Sequence, residues 1–104
     1  MLGAFSGPIR VPLASVSAVG VEADPWAALR GIRAPGTGIP GVIAYGTRRY
    51  AGGRDFALVR GRARAVRVDL DPGARYGRLL VTVPDPPATA DRIEAALRHA
   101  RPPA

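Results

Sequence analysis

Apolar positions along this chain recur mostly with a period of two, and once, near the end, with the period of a helix. Ile9, Val11 and Leu13 alternate with Arg10 and Pro12, as in a half-buried strand. Pro12 has no N–H for a ladder, so this stretch reads as an edge or ends in a bend. Residues 16–22 form a second expected strand, with Val19 and Val21 on one face. In Asp24-Pro25-Trp26-Ala27-Ala28-Leu29-Arg30-Gly31, Asp at the N-cap, Pro at the first position and Gly past the end bracket one or two helical turns. Trp26 and Leu29 then share a face. Residues 41–47 read as a strand carrying Val42, Ile43 and Tyr45. Gly52-Gly53 turns it back into residues 54–59, where Phe56 and Leu58 share a face. Gly61 marks another turn. Residues 63–70 place Val66, Val68 and Leu70 inward and Arg67 and Asp69 outward. Asp71-Pro72-Gly73 is a turn in which Pro presets φ and Gly permits a positive one. Residues 78–83 make the last strand. Asp85-Pro86-Pro87 opens a helix over residues 86–99 with the stripe Ala90, Ile93, Leu97 and Ala100. Glu94 and Arg98 form an i,i+4 pair on its opposite face. Arg101-Pro102-Pro103 ends it.

These elements describe a mainly β protein of about six strands within residues 9–83, closed by one helix. With 104 residues, the chain reads as a single domain over residues 1–104. A chain of this size buries roughly two thirds of its unfolded surface. Cys is absent, which removes disulfides and thiolate chemistry. No apolar run approaches the roughly 18 residues of a membrane span. The start, Met1-Leu2-Gly3-Ala4-Phe5, lacks the basic region and apolar core of a secretory signal, so a cytoplasmic protein is expected.

Charge changes the picture more than size does. The net charge is +7, and all 15 basic residues are Arg; Lys, Asn and Gln are absent. Codon choice in a GC-rich genome is the expected reason for Arg over Lys; selection of Arg for bidentate phosphate contacts is the alternative. The excess charge still favours attraction to anionic partners.

Residues 36–41, Gly-Thr-Gly-Ile-Pro-Gly, match the G-x-G-x-x-G spacing of a dinucleotide loop. That loop needs a strand before it and a helix after it, because the helix N-terminus holds the pyrophosphate. Here Arg33-Ala34-Pro35 precedes it and the strand-like Val42-Ile43-Ala44-Tyr45 comes after it. A connecting loop is therefore expected, with no nucleotide and no cofactor. Catalytic groups are equally thin. His99, the single His, falls near a helix C-terminus, where a cation is ordinary electrostatics. Asp24 and Asp85 read as caps, Asp71 as a turn residue, and Asp91 and Glu94 as a solvated helix face. Ser6, Ser15 and Ser17 have no base nearby, and no metal-ligand spacing occurs. Neither an enzyme nor a metal site is expected.

The arginines are more informative. In an antiparallel meander of the four strands from residue 41 to residue 83, Arg48, Arg49, Arg54, Arg75 and Arg78 fall at one end and Arg60, Arg62 and Arg64 at the other. The first five form a candidate patch for an anion or a partner, offset in part by Asp55, Asp69 and Asp71. Arginines at hairpin ends also discourage edge-to-edge aggregation. Tyr50 and Tyr76 lie among the first group, where stacking aromatics would serve nucleic acid.

Residues 9–22, with Pro12, Leu13, Val16, Val19 and Val21, resemble the Pro-Leu-x-x-Ile/Val-x-x-Val-x-Val pattern of bacterial pleckstrin-homology-like (PH-like) domains. The stretches LRGIRAPGTGIPGVIAYGTRR, RDFALVRG and RLLVTVPDPPATADRI look similar to a group of small actinobacterial proteins. The resemblance implies a small antiparallel barrel plugged at one end by the C-terminal helix, and no catalytic residues. Domains of this kind usually carry another strand or two before the Ile9 motif. The short start therefore predicts an exposed edge and a weak homodimer through it. The resulting expectation is a non-enzymatic module binding a protein or an anionic ligand. The alternative is an arginine-rich module for nucleic acid or an anionic membrane surface.

Overall fold

The computed structural model describes residues 11–33 and 38–100. The fold is mainly β, with a long C-terminal helix. The strands are β1 (Val16–Glu22), β2 (Ile32–Arg33), β3 (Gly38–Ile39), β4 (Ile43–Tyr50), β5 (Gly53–Arg60), β6 (Ala65–Leu70) and β7 (Arg78–Thr82). A short helix α1 (Pro25–Ala28) comes after β1, and α2 (Pro86–Ala100) closes the chain. Asp24 caps α1 by accepting from the Ala27 N–H, and Asp85 caps α2 by accepting from the Ala88 N–H at 3.1 Å. Residues 9 and 10 of the first expected strand lie outside the described residues. Of the rest, Leu13–Ser15 forms a 3-10 turn.

The strands do not form the expected antiparallel meander, and they do not close into a barrel. Their order is β1-β6-β7-β5-β4-β2, with β3 also on β4. After β5 the chain passes over to β6 and returns as β7, which slots between the two. It runs antiparallel to β6 and parallel to β5. β1 and β2 are left at opposite ends of the order, with no ladder between them among the described residues. The sheet is therefore mixed and open.

Alternation along the strands gives it two covered faces. On one, Ala44, Ala57, Val59, Ala65 and Leu80 form a buried cluster under Trp26, Ala28 and Leu29 of the α1 segment. The Trp26 indole N–H donates to the Gly61 carbonyl at 2.6 Å, tying α1 to the β5–β6 link. On the other face, Val16, Leu70, Tyr76 and Leu97 cluster with Phe56, Val68, Leu79 and Ile93 around them. Here α2 packs chiefly on β1 and β6, with Ala90 and Leu97 buried and Ala100 exposed. Phe56 meets Tyr45 and Tyr76 edge to face, at 6.1 and 6.0 Å between ring centres.

Double coverage changes the reading of Arg67 and Asp69. They do not point into open solvent. They lie half-buried on the α1 face, in a chain of ion pairs from Glu22 through Arg67 and Asp69 to Arg78. Burial pushes the Asp69 carboxyl up, but hydrogen bonds and charge from Arg78 and Arg67 outweigh it and hold the group below its ordinary value. A carboxyl lowered in the folded state adds stability above its unfolded pKa, about 3.9, and that stability is lost as pH falls through the lower folded value. In urea titrations across the acid range, Asp69→Asn is expected to flatten the acid limb of stability. An unchanged limb would remove Asp69 from acid unfolding.

Candidate functional site

At one end of the sheet, the tight turn between β4 and β5 faces the link between β6 and β7. Between them lies an open groove of about 540 Å³. Arg30, Arg49, Arg54 and Arg75 line it, with Asp71 as the single carboxylate among the lining residues. Gly52, Gly53, Gly73 and Gly77 make up much of its wall, so backbone is bare there.

Each guanidinium arrives by a different route. Arg54 is the second residue of β5; its Nε donates to the Arg75 carbonyl at 2.9 Å, and its carbon lies 5.4 Å from the centre of the Tyr76 ring. Arg75, in the link, approaches the same ring at 5.5 Å. Arg49 is exposed on β4, directly opposite Arg54 in the ladder. Arg30 comes from the segment after α1 and binds Asp55 with two nitrogens, at 2.7 and 2.8 Å. It also lies over the Tyr50 ring at 4.8 Å. The Tyr50 hydroxyl donates to Asp55 at 2.9 Å. Burial, then that hydrogen bond, raise the Tyr50 phenol above its usual value; the bond to Asp55 raises Arg30. A Cβ on Gly77 would lie 2.6 Å from the Tyr50 hydroxyl, so a larger residue there would have to displace that hydroxyl from the cluster.

Of the five arginines expected to form one patch, three line the groove: Arg49, Arg54 and Arg75. Arg48 and Arg78 do not. Strand neighbours point to opposite faces, so Arg48 lies on the α1 side and donates to the carbonyls of Arg30 and Gly31. Arg78 donates to Asp69 at 2.8 Å and to the Ala28 carbonyl at 3.2 Å. Both fasten α1 and its tail to the sheet. The offsetting carboxylates sort in the same way. Asp55 sits beneath Arg30, Asp69 belongs to the far ion-pair chain, and Asp71 alone lines the groove. The expected five-arginine patch left out Arg30, which reads locally as a flank of the glycine loop, because nothing local ties it to a strand some twenty-five residues on.

The G-x-G-x-x-G stretch begins outside the described residues; its last four residues are β3 and a turn. Gly38 pairs with Ala44, and a Cβ there would lie 2.5 Å from the Ile43 carbonyl oxygen. The glycine serves close strand approach, and the next element is β4, not a helix. His99 is exposed in the last turn of α2. Among the described residues, no three His, Asp or Glu side chains gather as a metal site, and no helix is long and apolar enough to cross a membrane.

Fold and groove together define a small, mainly β mixed-sheet fold with a basic cleft at one sheet end. No family model, curated protein or solved structure matches the chain.

Proposed function

We propose that the chain is a non-enzymatic binding module that takes a compact anionic group, free or carried on a protein, in the groove between β4–β5 and the β6–β7 link. One observation carries this reading: four guanidiniums face a glycine-walled cleft that holds one carboxylate. Two of them are braced over Tyr76 and one over Tyr50, so less side-chain freedom is lost on binding. Guanidinium forks suit the paired oxygens of phosphate and carboxylate.

The alternative, nucleic acid or an anionic membrane surface, draws on the same charge. Single strands gain much of their affinity from stacking on open aromatic rings. Here Tyr76 is 6% exposed and its ring has two arginines against it. That arrangement favours a compact anion.

Calorimetry decides between them, with inorganic pyrophosphate, a hexaglutamate peptide and an oligothymidine strand as probes at low and high salt. Pyrophosphate or the peptide is expected to bind, and to bind more weakly as salt rises. Arg54→Ala and Arg75→Ala should each lower affinity about tenfold, the worth of a charged hydrogen bond. The exposed Arg49→Ala checks the same prediction without disturbing the Tyr76 cluster. No binding of either anion at millimolar concentration in low salt, or binding indifferent to these arginines, overturns the reading. Preference for the oligonucleotide supports the alternative.

A further inference from the structure

The guanidiniums of the groove are not equivalent. Alternation along β5 puts Arg54 on the face of Phe56, toward α2, and Asp55 on the face of Ala57 and Val59, under α1. Arg49 is directly opposite Arg54 in the ladder and shares its face. Arg75 joins them at the Tyr76 ring, which Arg54 also meets. Arg30 belongs to the other face, where Asp55 balances its charge. Three guanidiniums therefore gather on the α2 side of the sheet end.

These three have no acid of their own. Arg54 uses only its Nε, on the Arg75 carbonyl. Among the described residues its two terminal nitrogens have no hydrogen-bond partner, and Arg49 and Arg75 form no ion pair. Like charges set opposite each other across a ladder are unfavourable, so Arg49 against Arg54 carries a cost that a bound anion removes. Asp71, the one carboxylate that lines the groove, makes only main-chain hydrogen bonds among the described residues. With the Arg30–Asp55 pair neutral, three positive charges and one negative leave the groove at +2.

We propose that the groove selects the doubly charged head of a phosphate monoester over singly charged groups such as a sulfate ester, a phosphodiester or a carboxylate, a specificity that rests on the anion-binding reading above. A monoester presents three terminal oxygens to three unpaired guanidiniums. Its charge is about −1.5 to −2 at neutral pH, because its second pKa is about 6. A sulfate ester has nearly the same shape and a single charge. A phosphodiester has a single charge and two free oxygens, which is why a nucleic-acid backbone fits this groove less well. The charged and titratable side chains around the head are the four arginines, Asp71 of the β6–β7 link, Tyr50 at the end of β4 and Tyr76, with Asp55 behind Arg30; no histidine lines the groove. The head itself then sets the pH dependence: as pH falls through about 6 it takes up a proton, loses its second charge and binds less tightly.

Calorimetry on two carriers tests this, each made with a phosphate and with a sulfate head: a capped alanine tripeptide with a central modified serine, and glycerol. Pyrophosphate serves as the reference for the groove itself. At about pH 7.5 the phosphate head is expected to bind about tenfold more tightly than the sulfate head, the worth of a charged hydrogen bond. Between about pH 7.5 and pH 5 its affinity should fall about tenfold, as its doubly charged fraction does, while the sulfate head stays level. The sulfate arm registers any titration of the protein's own groups. The carrier that binds more tightly tells a phosphorylated side chain from a small phosphorylated metabolite; equal binding shows that the head is all the groove reads. Asp71→Asn should tighten the phosphate head about threefold, the worth of one exposed charge. Its fold is checked by circular dichroism. Equal affinity for phosphate and sulfate heads, or a gap that persists at about pH 5, overturns the proposal and leaves the anion site standing if pyrophosphate still binds. Weaker phosphate binding in Asp71→Asn also overturns it, because the charge balance would then be wrong. Failure of pyrophosphate and every other probe to bind overturns both.

Discussion

Leu80→Ala is expected to cost about 3–5 kcal/mol, the upper part of the range for buried leucines. Leu80 is 1% exposed and sits in the middle of β7, the strand inserted between β5 and β6. Its buried neighbours Ala44, Ala57, Val59 and Ala65 are small, and each is fixed by a strand. Such a site has few long side chains that can swing into a cavity, so the void persists. Against a typical total stability of about 5–15 kcal/mol for a domain, the loss is large. Urea unfolding followed by Trp26 fluorescence reads it directly, because Trp26, the single tryptophan, packs on the same cluster. Leu80→Met, which keeps the volume, should cost less than about 1.5 kcal/mol. If both variants lost the same small amount, Leu80 would not be the centre of this core.

Asp55→Ala is the second large effect, at about 2–3 kcal/mol. Asp55 is 4% exposed and accepts from Arg30 twice and from Tyr50 once. Removing one partner of a fully buried ion pair costs about 3–5 kcal/mol, because the other charge is left unpaired. The Arg30 side chain is 41% exposed and can turn to water, which lowers the figure. The pair also ties the segment after α1 to β5, so the loss should spread to the α1 face. A double-mutant cycle with Arg30→Ala isolates the interaction. A coupling energy of about 1 kcal/mol or more is expected; simple additivity within about 0.5 kcal/mol would show that the contact is geometrically good but energetically idle.

The groove links these results to the proposed binding. Arg30 serves both the Asp55 pair and the cleft, so the end of the sheet is held in shape by part of the group set that would meet an anion. Arg54 and Arg75 combine the two roles differently: they brace Tyr76, whose ring is core on one side and wall on the other. Substitutions here should be read through stability and binding together. Arg49, exposed and outside these clusters, separates the two.

Local signals in the sequence determined most element identities. Asp24-Pro25 and Asp85-Pro86 start helices where caps and fixed φ require it. Period-two runs mark β1, β4, β5, β6 and β7 close to their observed limits, because alternation and Gly or Pro breaks act over a few residues. The stripe of Ala90, Ile93 and Leu97 likewise placed the inner side of α2. Strand order was beyond that reach. Whether β7 pairs beside β5 or only beside β6 depends on contacts between distant segments, and the period-two pattern of each strand is satisfied either way. The result is a mixed open sheet in place of an antiparallel barrel. The arginine site divides along the same line. Parity in β4 already implied that Arg48 and Arg49 point to opposite faces. That Arg30 crosses to Asp55, and that Arg48 and Arg78 are drawn to carbonyls and carboxylates beneath α1, was decided only when α1 folded over the sheet. A charge near the surface takes whichever partner tertiary packing brings within hydrogen-bond reach.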